Sequence, residues 1–371
     1  MLFFLFLLLP ETHPATFQVK THFEPPEYEL EYPCSMDIHP DHGLYVLDQR
    51  ATRVLHWNLE GEYVNAFGRE GQGPGEMVRP HRIAVAEDRV WVWSLDQKMT
   101  VFDTEGHFLN SISLPGMSPR SFAILNPNLA FLNTREISQS RKIQLSFYLV
   151  QLDPLQKSKY KSFISEAFLT PINAKNKNHT TMKAFAPDVD VQRDAKGNWY
   201  FGFSQNNLIY PISSSGETGR PLAFDIPTGP PTAEDRSYIE NLSFPSPIGG
   251  RLSLKDFPNF TINYDHDKAF YTHFIIDGDR IVFALTPIGS LSDLNNGHAR
   301  ASYHVFNMVG GERLASGAYH LPEDSVVFYR NGQVLACILD EEGQFQVKQI
   351  LLKGMHGWQR SLEPLVQKGE D

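Results

Sequence analysis

Ser35-Met36-Asp37-Ile38-His39, Pro40-Asp41-His42-Gly43, Leu44-Tyr45-Val46-Leu47 and Asp48-Gln49-Arg50-Ala51-Thr52 open the stretch that decides the fold. The first and third pieces are short apolar strands, the second is a tight turn and the fourth a polar loop. Arg53-Val54-Leu55-His56-Trp57-Asn58-Leu59 alternates as a third strand, Glu60-Gly61 turns, and Tyr63-Val64-Asn65-Ala66-Phe67 is a fourth. Four short antiparallel strands in about 34 residues, joined by turns, make one blade of a β-propeller.

The pattern recurs outward from this unit. Residues 82–86, 89–93, 99–103 and 108–114 repeat it, with Glu105-Gly106 where Glu60-Gly61 stood. A third blade reads across 121–168, a fourth across 189–226 and a fifth across 270–321. The sixth has strands at 325–329, 334–339 and 345–352 and is one strand short, while residues 17–23 form an orphan strand at the other end. An unpaired sheet edge invites aggregation, so the N-terminal strand is expected to complete the last blade. The expected fold is therefore all-β: a six-bladed propeller closed by its own N-terminal strand, spanning 16–357 with an insertion at 227–268 and a tail at 358–371.

Phe67-Gly68-Arg69-Glu70-Gly71-Gln72-Gly73-Pro74-Gly75-Glu76-Met77, followed by Pro80 and Ile83-Ala84-Val85, resembles the linker of NHL-repeat propellers and of the bacterial six-bladed propellers related to them. The resemblance implies that this segment joins the outer strand of one blade to the inner strand of the next. Its four glycines are expected to take positive φ, and Pro80 to fix the approach to the next strand. Asp48 to Val54 likewise resembles that family's acid-then-Arg stretch between second and third strands.

The chain has 43 acidic and 33 basic side chains, a net charge of −10 and no dense Lys/Arg run, which excludes a nucleic-acid partner. Lys157 and Lys161 lie in a charge-alternating stretch that reads as a turn. Residues 1–9 are almost wholly apolar but far short of the roughly 20 needed to span a bilayer. They fit the core of a signal segment at 1–15 and place the protein outside the cytoplasm, periplasmic or secreted. No positive residue precedes them, so a late start or a buried N-terminal strand is the alternative. Only Cys34 and Cys337 occur, in neighbouring blades, as a closing disulfide or as two inert thiols.

Antiparallel topology assigns each loop to a face. Turns between first and second strands and between third and fourth emerge together, and most read as tight: Asp41-His42-Gly43, Glu87-Asp88, Asn331-Gly332 and Glu105-Gly106. The long excursions at 136–144, 169–187, 227–268 and 286–301 share the other face, which makes it the expected working face. Thr232 precedes acids in a pattern that caps a short helix within the longest of them.

On that face Asp48, Arg50 and Arg53, Asp96 and Lys98, and Gln205 and Asn206 occupy equivalent loops. Arg grips a carboxylate bidentately and amides read sugar or peptide groups, or else the Asp and Arg residues lock adjacent blades. A second constellation, Asp188 and Asp190 on an inner strand with Asp265 and His266, offers ligands for a divalent cation in the channel, as in gluconolactonase-like propeller hydrolases. No diagnostic metal spacing, nucleophile elbow or phosphate loop occurs. The expected function is a non-catalytic binding or scaffold propeller for a peptide, protein or glycan. The alternative is a metal-dependent hydrolase or lyase at the channel mouth.

Overall fold

The computed structural model describes residues 16–23, 29–117, 119–137, 143–152, 155–165, 180–185, 189–194, 196–241, 243–245, 251–253, 260–265, 267–285, 300–320, 325–330, 333–339 and 344–353. Six four-stranded antiparallel sheets form the blades, each numbered here from its innermost strand outward. The innermost strands are Pro33–His39, Pro80–Ala86, Pro119–Asn126, Val189–Arg193, His273–Asp277 and Ser325–Arg330. Each touches the innermost strand of the blade before and after it, and the last touches the first, so the array closes into a ring.

Closure is made as the orphan strand implied. Thr16–His22 pairs antiparallel with Phe345–Lys353 and is the outermost strand of blade 6. The chain thus ends its ring by laying its beginning against its end, so that the last blade has four strands like the others.

Burial falls from the inside out. Every residue of Pro33–His39 is buried, because both faces of an inner strand are covered by neighbouring blades. The outermost strand of blade 2, Phe108–Ser113, has no buried position. Between blades lie apolar seams: Tyr45, Leu47, Ile83, Val85 and Phe102 fill the one between blades 1 and 2. Trp91 and Trp93, two residues apart on one strand, point the same way into the next. Trp199 and Phe201 face blade 3, while Tyr200 between them faces blade 5.

Turn chemistry sets the blade geometry. Glu87 and Asp88 both take positive φ, 54° and 53°, the twist a two-residue hairpin turn needs. At Gly43 a Cβ would lie 2.1 Å from the Trp57 carbonyl oxygen, so only glycine fits. In the glycine-rich linker Gly68, Gly71 and Gly75 have φ of 83°, 149° and 73°. Gly73 is not among them; its N–H instead donates to Glu76 Oε2 at 2.8 Å.

One local expectation is corrected. The stretch holding Lys157 and Lys161 is no turn but part of Leu155–Ser165, the outermost strand of blade 3, because it pairs antiparallel with Ile143–Leu152 along its length. The segment 1–15, the tail 358–371, the Asn331-Gly332 turn and most of the excursions at 138–142, 169–179 and 286–299 lie outside the described residues. Cys34 and Cys337 are both buried and are not joined in a disulfide.

Candidate functional site

Asp48 ends the second strand of blade 1 and is fully buried. Its carboxylate accepts the N–H groups of Glu31 at 3.0 Å, Tyr32 at 2.9 Å and Ala51 at 3.4 Å. Arg53 Nη2 lies 3.5 Å from Asp48 Oδ2 and donates to the Glu29 carbonyl at 2.6 Å. Residues 29–32 bring the chain from the N-terminal strand into blade 1, so this pair fastens the crossing. The locking role accounts for Asp48 and Arg53. Arg50 is half-exposed beside Glu31 at 3.5 Å.

Of the equivalent loops, that of blade 2 holds a similar tie. Lys98 Nζ donates to the Glu76 carbonyl at 2.8 Å, tying blade 2 to the glycine-rich linker. Glu76 also accepts from Arg69 Nε at 2.9 Å. Its carboxyl is held below the ordinary range, chiefly by the Gly73 N–H and by Arg69. Asn206 Oδ1 accepts the Leu208 N–H at 3.0 Å, and Asp96 and Gln205 are exposed.

Asp190 is buried on the innermost strand of blade 4. Oδ1 accepts from the Val191 N–H at 2.9 Å, and both oxygens lie 3.0 Å from Gln192 Nε2. Oδ2 accepts from the Phe274 N–H of blade 5 at 3.0 Å, with His273 Nδ1 at 3.7 Å. Burial pushes its pKa up, and His273, the Phe274 N–H and Gln192 more than offset that, leaving it lowered. Asp265 is exposed, its N–H donating to Asn263 Oδ1 at 2.7 Å; Asp188 and His266 lie outside the described residues. Among the described residues, neither grouping of three potential metal ligands includes Asp190 or Asp265.

The face of the long excursions carries a built structure whose strand pairing no local pattern announced. Thr180–Lys183, between blades 3 and 4, pairs in parallel with Phe260–Asn263, between blades 4 and 5. Two excursions of the chain are thereby zipped into one annex. It also holds a small hairpin of Ser243–Pro245 with Arg251–Ser253, and the helix Ala233–Glu240.

The helix begins as the sequence implied. Thr232 Oγ1 accepts the Asp235 N–H at 3.1 Å, while Asp235 Oδ2 accepts the Thr232 N–H at 2.8 Å, a reciprocal cap. Lys268 Nζ meets the same carboxylate at 3.1 Å. Burial raises the Asp235 pKa, but the Thr232 N–H and Lys268 outweigh it and hold the carboxyl low. Ile239 is buried against Ala184, Phe185, Ala269 and Leu285, which roots the helix on the blades. Arg236 lies 5.0 Å over the Tyr264 ring.

The family described as a 6-bladed beta-propeller matches residues 28–218. No curated protein matches the chain. Among solved structures, a presumed exported protein of Bacteroides fragilis is 12% identical, covering 91% of this chain and 95% of its own, at a TM-score of 0.51. The calcium-binding protein regucalcin of Agrobacterium tumefaciens is 11% identical over 91% and 97%, at 0.43. Virginiamycin B lyase of Staphylococcus aureus is 12% identical over 91% and 99%, at 0.37. Identities this low bear on fold alone.

Proposed function

The chain belongs to the 6-bladed β-propeller family, and from that premise we propose that it is a non-catalytic, extracytoplasmic binding propeller. It holds a peptide, protein or glycan on the annex face. The observation that carries this reading is the parallel pairing of Thr180–Lys183 with Phe260–Asn263. Inserted loops tolerated by neutrality have no reason to pair with each other from either side of a blade, and a small parallel pair is weak unless something else buries it. Here it is reinforced by a capped helix and the Asp235–Lys268 pair, on the face where the long excursions emerge.

A metal-dependent hydrolase or lyase at the channel mouth needs carboxylates with oxygens to spare. Asp190 spends both of its oxygens on Val191, Gln192 and Phe274. The extracytoplasmic placement rests on the apolar run at 1–9. Among the described residues no helix is long and apolar enough to cross a membrane.

The test is a photo-crosslinker placed at exposed Ser237 on the annex helix and, separately, at exposed Lys196 in a turn of the opposite face. Crosslinks to a discrete partner or glycan from position 237 alone are expected. Partners captured only from position 196 would overturn the assignment of the face.

A further inference from the structure

On the face opposite the annex, the first turns of blades 1 and 2 meet across the seam. His39 ends the innermost strand of blade 1, His42 follows in its turn, and Asp88 sits at the tip of the blade 2 turn. One ligand atom from each lies within 4.8 Å of the other two. We propose that His39, His42 and Asp88 form a site for a divalent transition metal of the zinc class, bridging the two blades.

Bonds of 2.0–2.1 Å in a tetrahedral site put neighbouring ligand atoms about 3.3 Å apart. His42 Nε2 and Asp88 Oδ1 already stand at 3.3 Å. His39 Nε2 is 3.9 Å from the same oxygen, so bringing that pair to tetrahedral spacing asks for a shift of about 0.6 Å from a turn tip that is mostly exposed. Two imidazoles and one carboxylate suit zinc, whereas calcium and magnesium favour all-oxygen sets. Three protein ligands leave a coordination position open.

The Asp41 N–H donates to His39 Nδ1 at 3.2 Å, so the neutral ring carries its proton on Nε2. Metal capture moves that proton to Nδ1 and exchanges this contact for a nitrogen–metal bond at Nε2. A simple surface ion pair would account for His42 and Asp88, but not for a buried second imidazole 4.7 Å from the first.

The experiment is zinc titration of the chelator-stripped full chain by calorimetry, with cobalt absorption reporting the ligand geometry. One zinc per chain is expected, with D88N and H42A each weakening binding about tenfold or more. Both altered side chains are partly exposed, and Asn tolerates the positive φ of position 88, so these variants should fold; thermal unfolding checks this. The other grouping, Asp103, Glu105 and His107, supplies the control. No saturable zinc binding in the unaltered chain overturns the proposal. So does binding that persists in D88N and disappears in H107A.

Discussion

The Asp37 carboxylate on the innermost strand of blade 1 accepts the backbone N–H of Val85, on the innermost strand of blade 2, at 2.8 Å. Ser35 Oγ accepts the Ile83 N–H beside it at 3.2 Å. The inner edge of each blade would otherwise present unpaired donors toward the channel, where they have no strand to meet. Replacing Asp37 with Ala leaves the buried Val85 N–H without an acceptor and should cost about 2–3 kcal/mol of stability in urea unfolding. Asp37→Asn keeps an acceptor and should cost less. Equal losses would show that charge, not the hydrogen bond, is what matters.

Asp190 repeats that clasp between blades 4 and 5, and its depressed pKa gives it an acid signature. A carboxyl whose folded pKa lies below its unfolded value stabilises above the unfolded value, and the contribution is lost as pH falls through the folded one. Stability should therefore decline from about pH 4 downward, and D190N should lose that portion of the slope while being less stable at neutral pH. Parallel pH profiles of the two proteins would remove Asp190 from the account.

His304 sets a different window. It sits on the third strand of blade 5, where burial first and Arg313 second push its pKa down to about 4. Its Nδ1 is buried without a hydrogen-bond partner. The unfolded chain takes up a proton near the ordinary pKa of 6.5 while the folded chain resists, so stability falls between pH 6.5 and about 4. The contribution is on the order of 3 kcal/mol at most. His304→Gln should flatten that interval in thermal unfolding without altering the profile above pH 7.

These side chains show where the sequence is legible and where it is not. Asp41-His42-Gly43 and Glu105-Gly106 are read locally, because a tight turn must satisfy its φ angles with its own residues. The orphan strand at Thr16–His22 was legible by counting, since a ring leaves no strand over. Asp190 was not: an acid alternating along an inner strand looks the same whether it binds a cation or its neighbour's backbone. What separates the two is the Phe274 N–H, 84 residues away. The Thr180–Lys183 and Phe260–Asn263 pairing is hidden for the same reason, as partners so far apart leave no short-range pattern. Asp48 and Arg53 fall between. Their spacing marked the loop, but only the position of residues 29–32 told locking from binding.

That lock makes the last prediction. Asp48 holds the Glu31 and Tyr32 N–H groups and Arg53 holds the Glu29 carbonyl, on the segment that follows the ring-closing strand into blade 1. Asp48→Ala strands buried donors and deprives a mostly buried guanidinium of its carboxylate, for about 3 kcal/mol. The damage should not spread evenly. The strand Thr16–His22 pairs only with Phe345–Lys353 among the described residues and leads in sequence to this crossing, so loosening the crossing should let blade 6 open first. Hydrogen exchange in D48A should rise most in Thr16–His22 and Phe345–Lys353 and least in Leu129–Ile137 of blade 3. Exchange that rises uniformly around the ring would mean that Asp48 supports its own blade alone and has no part in closure.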